Sequence, residues 1–108
     1  MPNLPKWNIE EETGYVPQTT FWQDFSIADV FGTDAVKDTF NRAFPEWKHD
    51  VVYLTELVMV LNHKCWHHYY QNNVGMFKLY RTLYEKANDY ALDTLKDKDF
   101  DYFFRITD

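Results

Sequence analysis

The chain has 108 residues, a net charge of −6 and a sequence pI near 5.1. That length suits a single domain with one core and leaves no room for a second. The acidic balance argues against a nucleic-acid-binding surface, which needs clustered Lys and Arg side chains. The composition therefore predicts one small globular unit whose partners are proteins.

Residues 1–20 hold three of the four prolines and the acidic triplet that ends at Glu12, without a sustained period. They predict an extended N-terminal arm, either mobile or lying over the body, ahead of one helical domain at residues 21–108. The N-terminus lacks the order of a signal peptide, and no segment reaches the ~18 apolar residues of a membrane helix. The single cysteine, Cys65, excludes an internal disulfide. We expect a soluble, cytoplasmic protein without membrane contact.

The helices begin with a short one. Ser26, followed by Asp29 and then Gly32, is typical of a capped helix of one to two turns. Thr33 predicts the cap of a second helix, in which Pro45 should cause a kink or a break near Ala43 to Phe44. The apolar stripe of this second helix contains Val36, Phe40, Ala43 or Phe44, and Trp47.

Asp50 predicts the start of the main helix, which runs to about Gln71 and is apolar almost all round up to Leu61. A further long helix is predicted at residues 74–95, after the Asn72-Asn73 pair, and a short closing helix should dock its rings. The stripe of the long helix is Met76, Tyr80, Leu83, Ala87 and Tyr90, and the closing rings are Phe100, Phe103 and Phe104. The predicted fold is an all-α bundle of three principal antiparallel helices, with short flanking helices and an extended N-terminal arm.

The histidines near the end of the main helix raise the question of a metal site. His63 and His67 are four residues apart on one helical face, a spacing that can present two imidazoles to one ion. A zinc site needs three or four ligands, and the facing helix offers Lys78 and Arg81 instead. Cys65 lies two residues from each histidine and so points elsewhere. We predict no metal, no cofactor and no enzymatic activity, with His63 and His67 as weak metal candidates.

Two surface features leave alternatives open. Aromatic residues make up 19% of the chain, so the rings either fill an aromatic core or lie in part on an interaction surface. Glu85, Asp89 and Asp93 form an acidic ridge at four-residue spacing. Like charges at this spacing are mildly unfavourable, which fits a surface kept for a partner as well as a solvated face.

Four stretches of the chain have a recognisable pattern: FWQDFSIADVFGTDAVKDTFNRAFPEWK, YLTELVMVLNHKCWHHYY, LYRTLYEKANDYALDTL and DYFFRITD. Together they resemble a family of small proteins encoded by phages and prophages of gut-dwelling Firmicutes. The resemblance covers about residues 21–108 and consists of structural motifs. It implies a phage-type accessory protein in the cytoplasm of a bacterial host, and it brings no catalytic residues.

Two hypotheses follow from these features. The first is a non-enzymatic inhibitor that binds a basic protein surface on a bacterial nucleic-acid-binding defence effector, as anti-CRISPR proteins do. Its predicted contact residues are Glu10, Glu11, Glu12, Glu85, Asp89, Asp93, Asp97, Asp99, Asp101, Tyr102 and Phe104. The alternative is a self-associating structural or assembly factor. Its predicted homo-oligomer interface is Trp66, Tyr69, Tyr70 and Phe104.

Overall fold

The described part of the chain contains four complete helices. The computed structural model describes residues 16–95, Asp99 and Phe103, without the side chain of Trp47. In chain order the helices are α1 (Phe21–Phe31), α2 (Thr33–Trp47), α3 (Val51–Tyr70) and α4 (Val74–Thr94). The described residues contain no strand, so the predicted all-α class is confirmed. None of these four helices is long and apolar enough to cross a lipid bilayer.

Helix α1 differs from the prediction. It has 11 residues and begins at Phe21, because Phe21, Phe25 and Ala28 continue a buried stripe at helical spacing. Ser26, the predicted cap, lies inside the helix, where its hydroxyl donates to the carbonyl of Trp22 at 2.7 Å. The predicted short flanking helix is therefore a full element of the bundle, and the Ser26 cap is wrong.

In α2 the predicted stripe is confirmed for Val36, Phe40 and Phe44, which are buried, and the side chain of Trp47 is not described. Of the kink or break predicted near Ala43 and Phe44, the break is absent, since α2 continues through Pro45 to Trp47. Pro45 is exposed and lies in the final turn, where the loss of one backbone donor leaves the rest of the helix paired.

The third and fourth helices match their predicted bounds within one residue. The Asp50 carboxylate caps α3 by accepting from the backbone of Val52 at 3.0 Å and of Tyr53 at 3.2 Å. The turn to α4 places Asn72 at a φ of 59°, a left-handed conformation that Asn tolerates well. The side chain of Asn73 then caps α4 by accepting from Met76 at 3.3 Å.

Helix α3 is the centre of the core, as predicted. Every residue at positions 54–61 is buried, and all four helices contribute side chains to the cluster around it. In α4 the buried stripe ends with Ala91 in place of Tyr90, which is half-buried. Phe103 is buried in the same core, as predicted for the closing rings, whereas Phe100 and Phe104 lie outside the described residues. Residues 1–15 of the predicted arm lie outside them as well.

Candidate functional site

An open groove lies between α1 and α2. The two helices are joined by Gly32 alone, whose φ of 112° is in the left-handed region that favours glycine. The N–H of Gly32 closes α1 on the carbonyl of Ala28 at 3.0 Å, and its carbonyl accepts from Val36 at 3.2 Å. The chain therefore turns back sharply, and α2 runs beside α1 over the full length of the shorter helix.

The groove has a volume of about 530 Å³ and combines an apolar lining with acidic side chains. The apolar lining consists of Phe21, Ile27, Ala28, Phe31, Ala35 and Ala43. The polar lining consists of Asp24, Asp38, Arg42, Glu46, Thr20 and Thr39. Three carboxylates against one guanidinium make the groove acidic, and the Phe31 ring, which is 78% exposed, gives it an open apolar end.

A buried polar network fixes the C-terminal half of α1 to the rest of the bundle. Its centre is Asp29, whose carboxylate accepts from Lys64 at 3.2 Å, from His68 at 3.1 Å and from the hydroxyl of Tyr80. A carboxylate can only accept, so the His68 ring donates to Asp29 from Nε2. These contacts connect α1 to α3 and α4, and they use residues that the sequence did not single out as a group.

Lys64 is the least expected member of this network, since its side chain is only 1% exposed. Its ammonium group donates to the Ser26 hydroxyl at 2.6 Å as well as to Asp29. It also lies 4.2 Å from the centre of the Trp22 ring, a cation–π contact. Burial lowers the pKa of Lys64, and the nearby Asp29 carboxylate opposes this shift. Three side chains of α1, those of Ser26, Asp29 and Trp22, therefore stabilise the charge of Lys64.

Tyr80 closes the network from α4. Its ring stacks on His68 with centroids 5.3 Å apart and meets Phe25 edge-on at 5.8 Å. Burial and the adjacent Asp29 carboxylate raise the pKa of Tyr80 far above the usual range. Burial alone would raise the pKa of Asp29, but the hydrogen bonds from His68 and Tyr80 and the charge of Lys64 hold it below its ordinary value.

Asp, Lys, His and Tyr side chains also serve as catalytic groups in enzymes, so their position and protonation bear on the role of this network. None of Asp29, Lys64, His68 and Tyr80 is among the described residues that line the groove. The raised pKa keeps the Tyr80 phenol protonated, so it serves as a donor to Asp29 and not as a base. The network therefore suits the positioning of α1.

A second buried carboxylate fixes the start of α1. Glu56 on α3 is 0% exposed, and it accepts from the backbone of Gln18 at 2.7 Å and of Thr19 at 2.9 Å. The Thr19 hydroxyl donates to the same carboxylate. These residues belong to the predicted arm, so its last part lies on the body. Together, Glu56 and Asp29 fix one wall of the groove at both ends.

Acid should weaken the Asp29 network. Because the pKa of Asp29 is lowered in the folded chain, the folded protein binds fewer protons at this site than the unfolded chain. The stabilisation is fully present above the unfolded-state pKa of about 4 and is lost as the pH falls through the folded-state value. Urea unfolding of the wild type and of Asp29→Asn, repeated from neutral to acid pH, measures this pH-dependent stabilisation. The difference between their unfolding free energies should narrow in acid, and a constant difference would contradict the assignment.

The predicted acidic contact residues are only partly described. Glu85, Asp89 and Asp93 are exposed on α4, so the ridge faces solvent, and Glu85 accepts from Arg81 at 3.0 Å. Asp99 lines a smaller pocket of about 310 Å³ beside Lys48 and His49. Outside the described residues lie Glu10, Glu11, Glu12, Asp97, Asp101, Tyr102 and Phe104.

Both members of the predicted histidine pair lie among the described residues. Within the part of the chain that the structure describes, no group of three or more His, Cys, Asp or Glu side chains is placed to hold a metal ion. His63 and His67 are both half-buried on α3. Cys65 is buried, and burial raises the pKa of its thiol, which makes the thiolate scarce at neutral pH.

The aromatic residues divide between the core and the surface. Phe25, Phe40 and Tyr80 are fully buried. Trp66 and Tyr69, in contrast, are exposed in the last turns of α3, with their ring centroids 5.4 Å apart. The rings are thus partly in the core and partly exposed.

Comparison of the chain with protein-family models, with curated proteins and with solved structures finds no match in any of the three. The functional proposal therefore rests on the geometry of the groove and on its two supports, the Asp29 and Glu56 carboxylates that fix α1.

Proposed function

We propose that the chain is a non-catalytic binding protein that occupies a basic surface of a bacterial nucleic-acid-binding defence effector. It would act as a phage-type inhibitor in the manner of anti-CRISPR proteins. The single observation that supports this most strongly is the acidic groove between α1 and α2. The expected cytoplasmic location and phage origin belong to the same proposal.

The charges of the groove define the partner. Asp24 lines the groove from α1, and Asp38, Arg42 and Glu46 line it from α2, which gives an excess of negative charge in a concave site. Because opposite charges in such a site steer encounter and select partners, the complementary ligand carries Lys or Arg. Effectors that bind nucleic acid present such side chains on their functional surface.

The apolar lining defines the shape of the contact. Helix α1 is about 16 Å long at 1.5 Å per residue, so the groove beside it accommodates about three turns of a partner helix. Both helices run away from Gly32, which places Phe31 and Ala35 at one end and Asp24 with Glu46 at the other. An amphipathic helix with an apolar stripe and basic flanks fits this arrangement.

Capture followed by a functional readout tests the proposal. The immobilised full chain is exposed to lysate of a host that carries defence systems, at low and at high salt. We expect a nucleic-acid-binding effector to be retained at low salt, and the purified effector to lose its DNA or RNA binding when the chain is added. Recovery of no such effector, or an effector that still binds nucleic acid, would overturn the proposal.

Charge reversal in the groove should weaken this binding strongly. We expect the triple variant Asp24→Lys, Asp38→Lys and Glu46→Lys to raise the Kd of the captured effector on the order of 100-fold or more, at about 1 kcal/mol or more per reversed contact. Titration by calorimetry or surface plasmon resonance measures this change.

The ridge on α4 supplies the matched control. Replacing Glu85, Asp89 and Asp93 with lysine also changes the net charge from −6 to zero, but away from the groove. This variant should keep the Kd within a few-fold of the wild-type value. A loss of affinity confined to the ridge variant would move the contact to α4, where the sequence alone predicted it.

A further inference from the structure

A long uncharged segment connects α3 and α4. Between Lys64 and Lys78 the sequence contains no Asp, Glu, Lys or Arg, although such residues make up 26% of the chain. The segment includes the last turns of α3, the Asn72-Asn73 turn and the start of α4. An uncharged stretch of this kind at an exposed turn is unusual in an acidic protein, because charged side chains normally keep such surfaces solvated.

The aromatic rings of this segment are packed against one another, and those of Trp66, Tyr69 and Tyr70 are exposed whereas Phe77 is half-buried. Phe77 lies 6.1 Å from Trp66 and 5.3 Å from Tyr69, measured between ring centroids. Tyr70 meets Tyr69 at 5.5 Å and is 78% exposed, and Val74 is exposed beside the turn. These five residues are called the aromatic end below. Because their rings already hold one another in place, a partner would restrict few additional rotamers on binding.

The polar residues around the aromatic end resemble the rim of an interface. Gln71, Asn72 and Asn73 are exposed at the turn and neutral, and they can form hydrogen bonds without desolvating a formal charge. Lys78 and Arg81 are exposed further along α4, and Arg81 is already paired with Glu85. An apolar aromatic centre with a neutral polar rim is the usual composition of protein–protein contacts.

We infer that the aromatic end is the contact with a second copy of this chain. A two-fold contact brings the same patch of both copies together. Because two copies of net charge −6 repel each other wherever their acidic surfaces face, such a contact requires a patch without acidic side chains. The aromatic end is a surface where two copies can meet without opposing like charges. Nucleic acid, the other common ligand of exposed rings, is repelled by the same net charge. The inference does not depend on the partner proposed for the groove.

Self-association at this end leaves the grooves free. No residue of the aromatic end lines the groove between α1 and α2, so a dimer presents two acidic grooves at once. The two contacts also respond differently to salt. Screening of the net charge should strengthen the dimer, whereas it should weaken the binding of a basic partner in the groove.

Sedimentation equilibrium of the full chain tests the inference with a matched pair of variants. Tyr70→Glu and Phe31→Glu each replace an aromatic residue that is 78% exposed, and each adds one negative charge. We expect a wild-type dimer whose Kd falls as salt rises. Tyr70→Glu should weaken it by tenfold or more, and Phe31→Glu should leave it within a few-fold. Circular dichroism should show the same helical content for all three proteins.

Two results would overturn the inference. One is a wild-type protein that remains monomeric up to about 200 μM at low and high salt, which would place the Kd of any dimer above that concentration. The other is a dimer that Tyr70→Glu leaves intact, whether or not Phe31→Glu disrupts it, because the contact would then lie outside the aromatic end.

Discussion

Replacing Asp29 with alanine is expected to lower the free energy of unfolding by about 3–5 kcal/mol, since it leaves the buried Lys64 charge without its counter-ion. The same change removes the acceptor of His68 and Tyr80. Substitution of Asp38 with asparagine is the control, because Asp38 is exposed and should change stability by no more than about 0.5 kcal/mol. Urea unfolding followed by circular dichroism gives both values.

A double-mutant cycle shows whether the loss comes from the charge pair. Lys64→Met removes the buried ammonium group and keeps an apolar stem of similar length, so it should cost much less than Asp29→Ala. The double variant Asp29→Ala and Lys64→Met should then lose less than the sum of the single variants, by about 1–3 kcal/mol. Additive losses within about 0.5 kcal/mol would show that Asp29 and Lys64 act independently, contrary to the structure.

Glu56→Ala is expected to have the second-largest effect, about 2–3 kcal/mol, because the backbone donors of Gln18 and Thr19 lose a charged acceptor in a partly buried site. The substitution should destabilise the start of α1 locally as well as the whole fold. Hydrogen exchange of the amides at positions 18 and 19 should accelerate strongly, while the amides in the middle of α3 keep most of their protection.

Two further variants define the role of this carboxylate. Glu56→Gln keeps the size but places an amide donor near two backbone donors, so it should recover only part of the lost stability. Glu85→Ala removes an exposed acid of α4 and should change stability by no more than about 0.5 kcal/mol. If Glu56→Ala is as mild as Glu85→Ala, the start of α1 is held by apolar packing alone.

The helices were predictable where the capping residue and the apolar period agree. Asp50 and Asn73 cap α3 and α4 in the structure, and the bounds of both helices follow from the sequence. The start of α1 could not be predicted in this way. Ser26 and Asp29 have the spacing of a capping box, which indicates a start at Ser26, whereas the spacing of Phe21 and Phe25 indicates an earlier start. Tertiary burial decided between them: Ser26 is buried inside α1, and Asp29 is half-buried as the acceptor of Lys64, His68 and Tyr80.

The buried network had a signal that periodicity alone could have revealed. Leu54, Leu57 and Leu61 define the buried stripe of α3, and Lys64 and His68 continue it at spacings of three and four. A lysine on a core stripe requires a buried partner of opposite charge. The sequence does not indicate which acid pairs with Lys64. The packing of α1 against α3 determines that pairing, between residues 35 positions apart.

The two supports of α1 also determine when the groove can exist during folding. Helices α3 and α4 are neighbours in sequence, whereas the supports join residues 35 to 51 positions apart. Contacts at such separation carry the larger loop-closure entropy and depend on the rest of the bundle being in place. A ligand of the groove therefore recognises only fully assembled chains, and its binding free energy adds to the stability of the whole fold.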